Sequence, residues 1–155
     1  MINYDDFAKV EIKAGKILSA EKIPETDKLL KLSVDFGETA MVDDPAFAAA
    51  PGALGADDQP APVMPPAQIS VPKHRQIVSG ISMHFPDPAV LVGRTAMFVT
   101  NLEPRKIKGF ESNGMLFAIS TPDKLDETGA VISKGSFSLL EPSPAANIPP
   151  GTRAC

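Results

Sequence analysis

Leu30, Leu32, Val34 and Phe36 alternate with Lys31, Ser33 and Asp35. No other feature restricts the fold of this chain as much. A period of two places the apolar side chains on one face of a strand and the polar ones on the other. Such a strand needs neighbours and one dry side, and Gly37 is expected to end it. Val10, Ile12 and Ala14 repeat the pattern against Glu11 and Lys13. The phase then slips at Gly15-Lys16, and Ile17, Leu18, Ala20 and Ile23 carry the apolar signal on. A glycine at a phase break is how a small barrel turns a strand around a corner. Gln76–Ile81 reads as a third strand, Thr95–Thr100 as a fourth and the run from Met115 as a fifth. Ala89–Leu91 reads as a short helix stopped by Gly93. Five strands with a small helix between the third and fourth predict an all-β chain with short helices, folded as an OB-type barrel.

The remaining pieces attach to that frame. Asn3 before Tyr4-Asp5-Asp6-Phe7 has the form of a cap and acidic first turn of a short helix. Ile23–Lys28 reads as a turn. Short strands are expected near Ala130–Ile132 and Phe137–Leu140, within a C-terminal extension that runs on to Pro149-Pro150-Gly151-Thr152-Arg153-Ala154-Cys155. Residues 38–74 differ in kind: they hold seven of the sixteen prolines, nine alanines and no cation before Lys73. They read as an acidic Ala/Pro-rich insertion, mostly irregular or extended. Within it, 45–50 has the pattern of one or two helical turns, and Met64, Ile69 and Val71 are candidates to pack back on the body. The whole of 1–155 reads as a single domain carrying this insertion.

The net charge of −4 argues against a polyanionic partner until it is mapped. Residues 38–72 alone carry five acids and no base, whereas residues 73–155 carry nine bases and seven acids. The excess acid therefore sits in one segment. Arg105, Lys106 and Lys108 form the densest positive cluster, between the fourth and fifth strands. Pro104 and Gly109 bracket it with turn chemistry. In an OB barrel the loop between those strands is one that binds oligonucleotides, so charge and topology indicate the same place. A solvated hairpin loop is the alternative at this stage.

Several function classes lack their motifs. There is no glycine-rich phosphate loop, no G-x-S-x-G elbow, and His74 and His84 have no metal-ligand spacing. No catalysis, metal or cofactor is expected. Cys155 is the one cysteine, which excludes an internal disulfide and fits a reducing, cytoplasmic setting. The N-terminus has no apolar run of a secretory signal, and no stretch has the length of a membrane span.

Six segments carry a resemblance: Phe7–Ile17, Asp27–Leu32, Arg75–Ile81, Leu91–Arg94, Asn101–Met115 (N-L-E-P-R-K-I-K-G-F-E-S-N-G-M) and the terminal Pro-Gly-Thr. Together they resemble the tRNA-binding domain family. Its members are the OB-fold module at the C-terminus of many bacterial methionyl-tRNA synthetases, free-standing dimeric tRNA-binding proteins and aminoacylation cofactors. The resemblance implies a non-catalytic module that binds tRNA by shape and phosphate contacts. It would be a homodimer, free-standing or docked on a synthetase catalytic chain. Carried over by motif, the tRNA-binding residues would be Lys28, Lys31, Arg75, Ser79, Asn101, Arg105, Lys106, Lys108, Ser112 and Met115. The cations are assigned to phosphates. Asn101 and Ser112 are assigned to ribose, base or the loop's own backbone, and Met115 reads foremost as core. Export chaperones built on the same barrel bind unfolded peptide and are the alternative. Exposed apolar patches would favour peptide, and a basic corner would favour RNA. The family normally passes almost directly from Gly37 into the third strand, so the insertion is a departure.

Overall fold

The computed structural model describes residues 1–43 and 68–154. Helix α1 (Tyr4–Ala8) opens the chain, and Asp6 N donates to the Asn3 Oδ1 cap at 2.8 Å. Strands β1 (Ile12–Lys22), β2 (Leu30–Asp43), β3 (Gln68–Ser79), β4 (Thr95–Val99) and β7 (Met115–Leu116) form one antiparallel sheet in the order β3-β2-β1-β4-β7. A 3-10 turn at Pro88–Leu91 lies between the third and fourth strands. Two more strands, β5 (Arg105–Ile107) and β6 (Phe110–Ser112), make a hairpin between β4 and β7. The C-terminal part holds β8 (Ala118–Ser120) paired with β11 (Phe137–Leu139), and β9 (Lys124–Leu125) paired with β10 (Val131–Ser133).

The alternation in β2 acts as the sequence predicts. Leu30, Leu32, Val34 and Phe36 are buried with Ile17, Ile77, Leu91, Phe98, Leu116 and Leu139 in one core. The sheet curls so that its two ends meet. Asn113 N donates to Gln76 O at 2.8 Å, and Val78 N donates to Ser112 Oγ at 3.0 Å, joining β3 to the corner between β6 and β7. Gly114 (φ +138°) sits at that corner, where a Cβ would lie 2.8 Å from Val99 O. This is the OB-type barrel that the strand count predicts.

β1 bends as expected, though not at the glycine. The register shift against β2 lies between Ile17 and Ser19. Gly15 is a close-packing site instead, since a Cβ there would stand 2.6 Å from both Val34 and Phe36. The first half of β1 also has a second neighbour: Gly151 N donates to Ala14 O, Ala14 N to Thr152 O and Ala154 N to Ile12 O, each at 2.8 Å. Gly151 (φ +88°) passes so near Phe36 O that no Cβ fits.

Of the two forms expected for the insertion, irregular or extended, residues 38–43 and 68–74 take the extended one. They continue β2 and β3 as a paired ribbon, Glu38 to Asp43 against Lys73 to Gln68. Gly37 (φ +66°) does not end the strand. Its N–H is held by Asp35 Oδ1 at 2.7 Å inside a bulge, and the pairing resumes beyond it. Ile69 is exposed on this ribbon rather than packed on the body. The helical turns read at 45–50, Met64, and Cys155 lie outside the described residues.

Candidate nucleic-acid interface

The expected basic loop is a built hairpin. Arg105 pairs with Ser112, Lys106 with Glu111 and Ile107 with Phe110, around a two-residue turn. Lys108 (φ +51°) and Gly109 (φ +84°) both take left-handed backbone, the pattern of a type I′ turn, whose twist suits a hairpin. Lys108 is thus presented at the tip. Arg105, Lys106 and Lys108 are all exposed. Among the described residues, none of the three forms an ion pair or side-chain hydrogen bond; the ion pairs are made by other residues. Three cations are therefore left to solvent on a short rigid ribbon.

Most of the other expected residues support this presentation. Lys31 lies outward on β2, paired with Glu21 at 2.7 Å and 5.8 Å from the Phe110 ring centre. Lys28 is exposed in the turn before β2. Ser79 is half-buried where β3 ends, opposite Leu30. Asn101 clamps the N-terminal segment: Glu11 N donates to its Oδ1 at 2.8 Å and its Nδ2 donates to Lys9 O at 2.6 Å. The buried Ser112 hydroxyl accepts from Val78 N and donates to Gly114 O at 3.1 Å. Both polar side chains have their hydrogen-bonding capacity turned inward. Met115 corrects the expectation of core. It is 48% exposed, because the inward phase of β7 falls to Leu116.

Arg75 is committed in the same way. Nε donates to Glu38 Oε2 at 3.0 Å, Nη2 to Glu38 Oε1, and Nη1 to Thr100 O at 2.7 Å. Its guanidinium also lies 5.5 Å from the Phe36 ring centre. The planar fork matches a carboxylate in two bonds, as lysine cannot. It fastens the start of the ribbon to the end of β4. The Arg75 hydrogen bonds are the main cause that holds the Glu38 carboxyl below its ordinary value, with partial burial working against them. A lowered folded-state pKa contributes stability above the unfolded value, and that contribution is lost as pH falls through the folded one. As pH falls through the ordinary carboxylate range and below it, the wild type should therefore lose more stability than Glu38→Gln, read by urea unfolding at each pH.

Lys73 and His74, which precede Arg75, join the surface without having been singled out in the sequence. With Arg75, Glu111 and Asn113 they line a cleft of about 320 Å³ between the ribbon and the hairpin. Their adjacency to Arg75 in a Lys-His-Arg run was the available signal. Among the described residues, no group of His, Cys, Asp or Glu gathers to hold a metal, and no helix is long and apolar enough to cross a membrane.

A curled OB-type barrel with an unpaired basic hairpin between its fourth strand and its closing edge is the architecture of an oligonucleotide-binding module. Residues 67–152 match the family model described as "Putative tRNA binding domain", which covers more than half of the chain. The chain belongs to that tRNA-binding domain family. It is 40% identical over 138 residues to a methionine–tRNA ligase of Methanoregula boonei, aligning 85% of this chain with 16% of the ligase. Across such ligases it spans between 12% and 16% of their length. A MetRS-related protein from Pyrococcus horikoshii has a similar structure, with TM-score 0.61 and 30% identity, covering 100% of this chain and 98% of that one. The chaperone CsaA of Bacillus anthracis shares the fold, with TM-score 0.56 and 22% identity, covering 100% of this chain and 99% of that one.

Proposed function

We propose that this chain is a non-catalytic module that holds tRNA by its phosphates, in the cytoplasm, either free-standing or beside a methionyl-tRNA synthetase chain. The observation that carries this is the β5–β6 hairpin, with three exposed cations free of intramolecular partners among the described residues. Lys28, in the turn before β2, and Lys31, on β2 beside Glu21 and the Phe110 ring, flank that hairpin. Asn101, Ser112 and Arg75 brace it, and Ser79 and Met115 border it. A rigid array of cations recognises the spacing of phosphates in a folded RNA rather than its sequence. Binding to mixed tRNA, titrated at about 50 and about 200 mM salt, should be micromolar at the lower salt and fall steeply at the higher. Absence of binding at the lower salt would overturn the reading.

A homodimer fits the N-terminal surface. Helix α1 is five residues long and has no buried residue, too short to persist on its own. Tyr4, Phe7, Val10, Ile12 and Ala154 surround a largely apolar hollow beside it. A second copy covering that hollow would bury what the single chain leaves wet and double the phosphate contacts. Phe7→Asp should convert the native mass from dimer to monomer, and the unfolding midpoint should lose its dependence on protein concentration.

The chaperone-type reading has one observation in its favour. Ile119, Leu125, Val131 and Ile132 are exposed apolar side chains on the C-terminal strands. An unfolded peptide that competes with tRNA would support it; peptide that leaves tRNA binding untouched would separate the two surfaces.

A further inference from the structure

The cleft at the foot of the β2–β3 ribbon has a chemistry that phosphate binding alone does not use. Two hydrogen bonds brace β3 against the β6 side, Gln76 Nε2 to Glu111 O at 2.7 Å and Asn113 N to Gln76 O at 2.8 Å, and a third, Asn113 Nδ2 to Glu111 Oε1 at 3.0 Å, ties the two side chains of the hairpin wall together. Arg75 fixes the ribbon wall through Glu38 and Thr100. The cleft is therefore formed before any ligand arrives. Because a carboxylate only accepts, the Asn113–Glu111 contact orients the amide with its nitrogen toward Glu111. Glu111 Oε2 and Asn113 Oδ1 remain as acceptors. Lys73 and His74, both exposed on the ribbon side, supply donors on the opposite wall. Lys106 stands across the hairpin from Glu111.

Two acceptors on one wall and a cation on the other match a nucleotide: base donors on one side, phosphate on the other. Among the bases, guanine places two adjacent donors, N1–H and N2–H, on its Watson–Crick edge, as the neighbouring acceptors Glu111 Oε2 and Asn113 Oδ1 require. Adenine presents one donor beside an acceptor, which would face the lone pairs of one of them. Such an edge is free only in unpaired RNA. We propose that this cleft takes one unpaired guanine nucleotide of the bound RNA, with Glu111 and Asn113 reading the base and Lys73 and His74 holding the adjacent phosphate. The proposal rests on the RNA-binding reading above and adds to it a point of sequence preference.

The test uses fluorescence anisotropy with the full chain and two short unstructured RNAs that differ at one position, guanosine against adenosine, with mixed tRNA as a reference. The wild type should prefer the guanosine RNA by about tenfold. Glu111→Gln should abolish that preference. Simple charge removal near a basic hairpin would instead tighten both RNAs alike and leave their ratio intact. Lys73→Ala with His74→Ala should weaken both RNAs several-fold and keep the ratio. Equal affinity of the wild type for the two RNAs, with normal tRNA binding, would overturn the guanine site and leave the RNA module standing. A ratio unchanged in Glu111→Gln would remove Glu111 as the reader and overturn it as well. Failure to bind tRNA at low salt would overturn both readings together.

Discussion

In the doubly substituted chain Arg105→Ala/Lys106→Ala, affinity for mixed tRNA falls by about tenfold or more at about 150 mM salt, and the logarithmic salt slope flattens by roughly one to two units. Filter binding across a salt series measures both. Neither side chain has an ion pair or side-chain hydrogen bond among the described residues, so thermal unfolding should hardly move. That separation makes the experiment sharp. The same truncation at Arg75 would strand the Glu38 carboxylate and the Thr100 carbonyl, so its effect on RNA would be mixed with a loss of fold. The loss should extend across tRNA species. A defect confined to one species would contradict recognition by phosphate spacing, although a modest bias set by the guanine cleft would remain compatible with it.

Phe98→Ala should destabilise the chain by about 3–5 kcal/mol, measured as a lower urea midpoint with an unchanged slope. Phe98 is 0% exposed on β4, and its ring meets Phe36 edge-to-face with centres 5.4 Å apart. It touches strands from both halves of the barrel, so the void left by alanine cannot be filled by one local shift. Domains of this size are stable by about 5–15 kcal/mol, so a sizeable fraction of that margin is removed. RNA binding in this variant should fall only as the folded fraction falls. An undiminished midpoint would mean that Phe98 is not the centre of the core.

The parts of the fold that were legible in the sequence are those where one face is buried. β2 announced itself because water is excluded from Leu30, Leu32, Val34 and Phe36 and from nothing between them. Beyond Gly37 the same strand became unreadable. Among the described residues the ribbon has no core beneath it, so no alternation is imposed, and Met41 and Val42 are exposed in succession. Glycine there reads as a stop, whereas its left-handed backbone serves a bulge. The stretch around Lys108-Gly109 was legible as a loop with turn chemistry, but not as a strand pair of its own, because strands of three residues leave no period to detect. The cations were legible as a cluster because charge density needs no fold. The roles of Asn101 and Ser112 were not, since their partners lie 90, 92 and 34 residues away. A polar side chain in a basic loop looks the same in sequence whether it faces RNA or its own backbone. Lys73 and His74 were hidden for a related reason: their value depends on Glu111 and Asn113, brought beside them only when the barrel closes.

The pairing of residues 151–154 with the first half of β1 has a consequence for the order of events in folding. Ile12 and Ala14 enter the sheet early in the chain, yet part of their hydrogen bonding waits for almost the last residues described. Closing so long a loop must precede the contacts that reward it, which places this barrel among the slow, non-local folders. Until the final segment docks, the open edge of β1 is an unpaired strand beside a hollow lined by Phe7 and Val10. During that interval the chain is most exposed to association with other copies of itself.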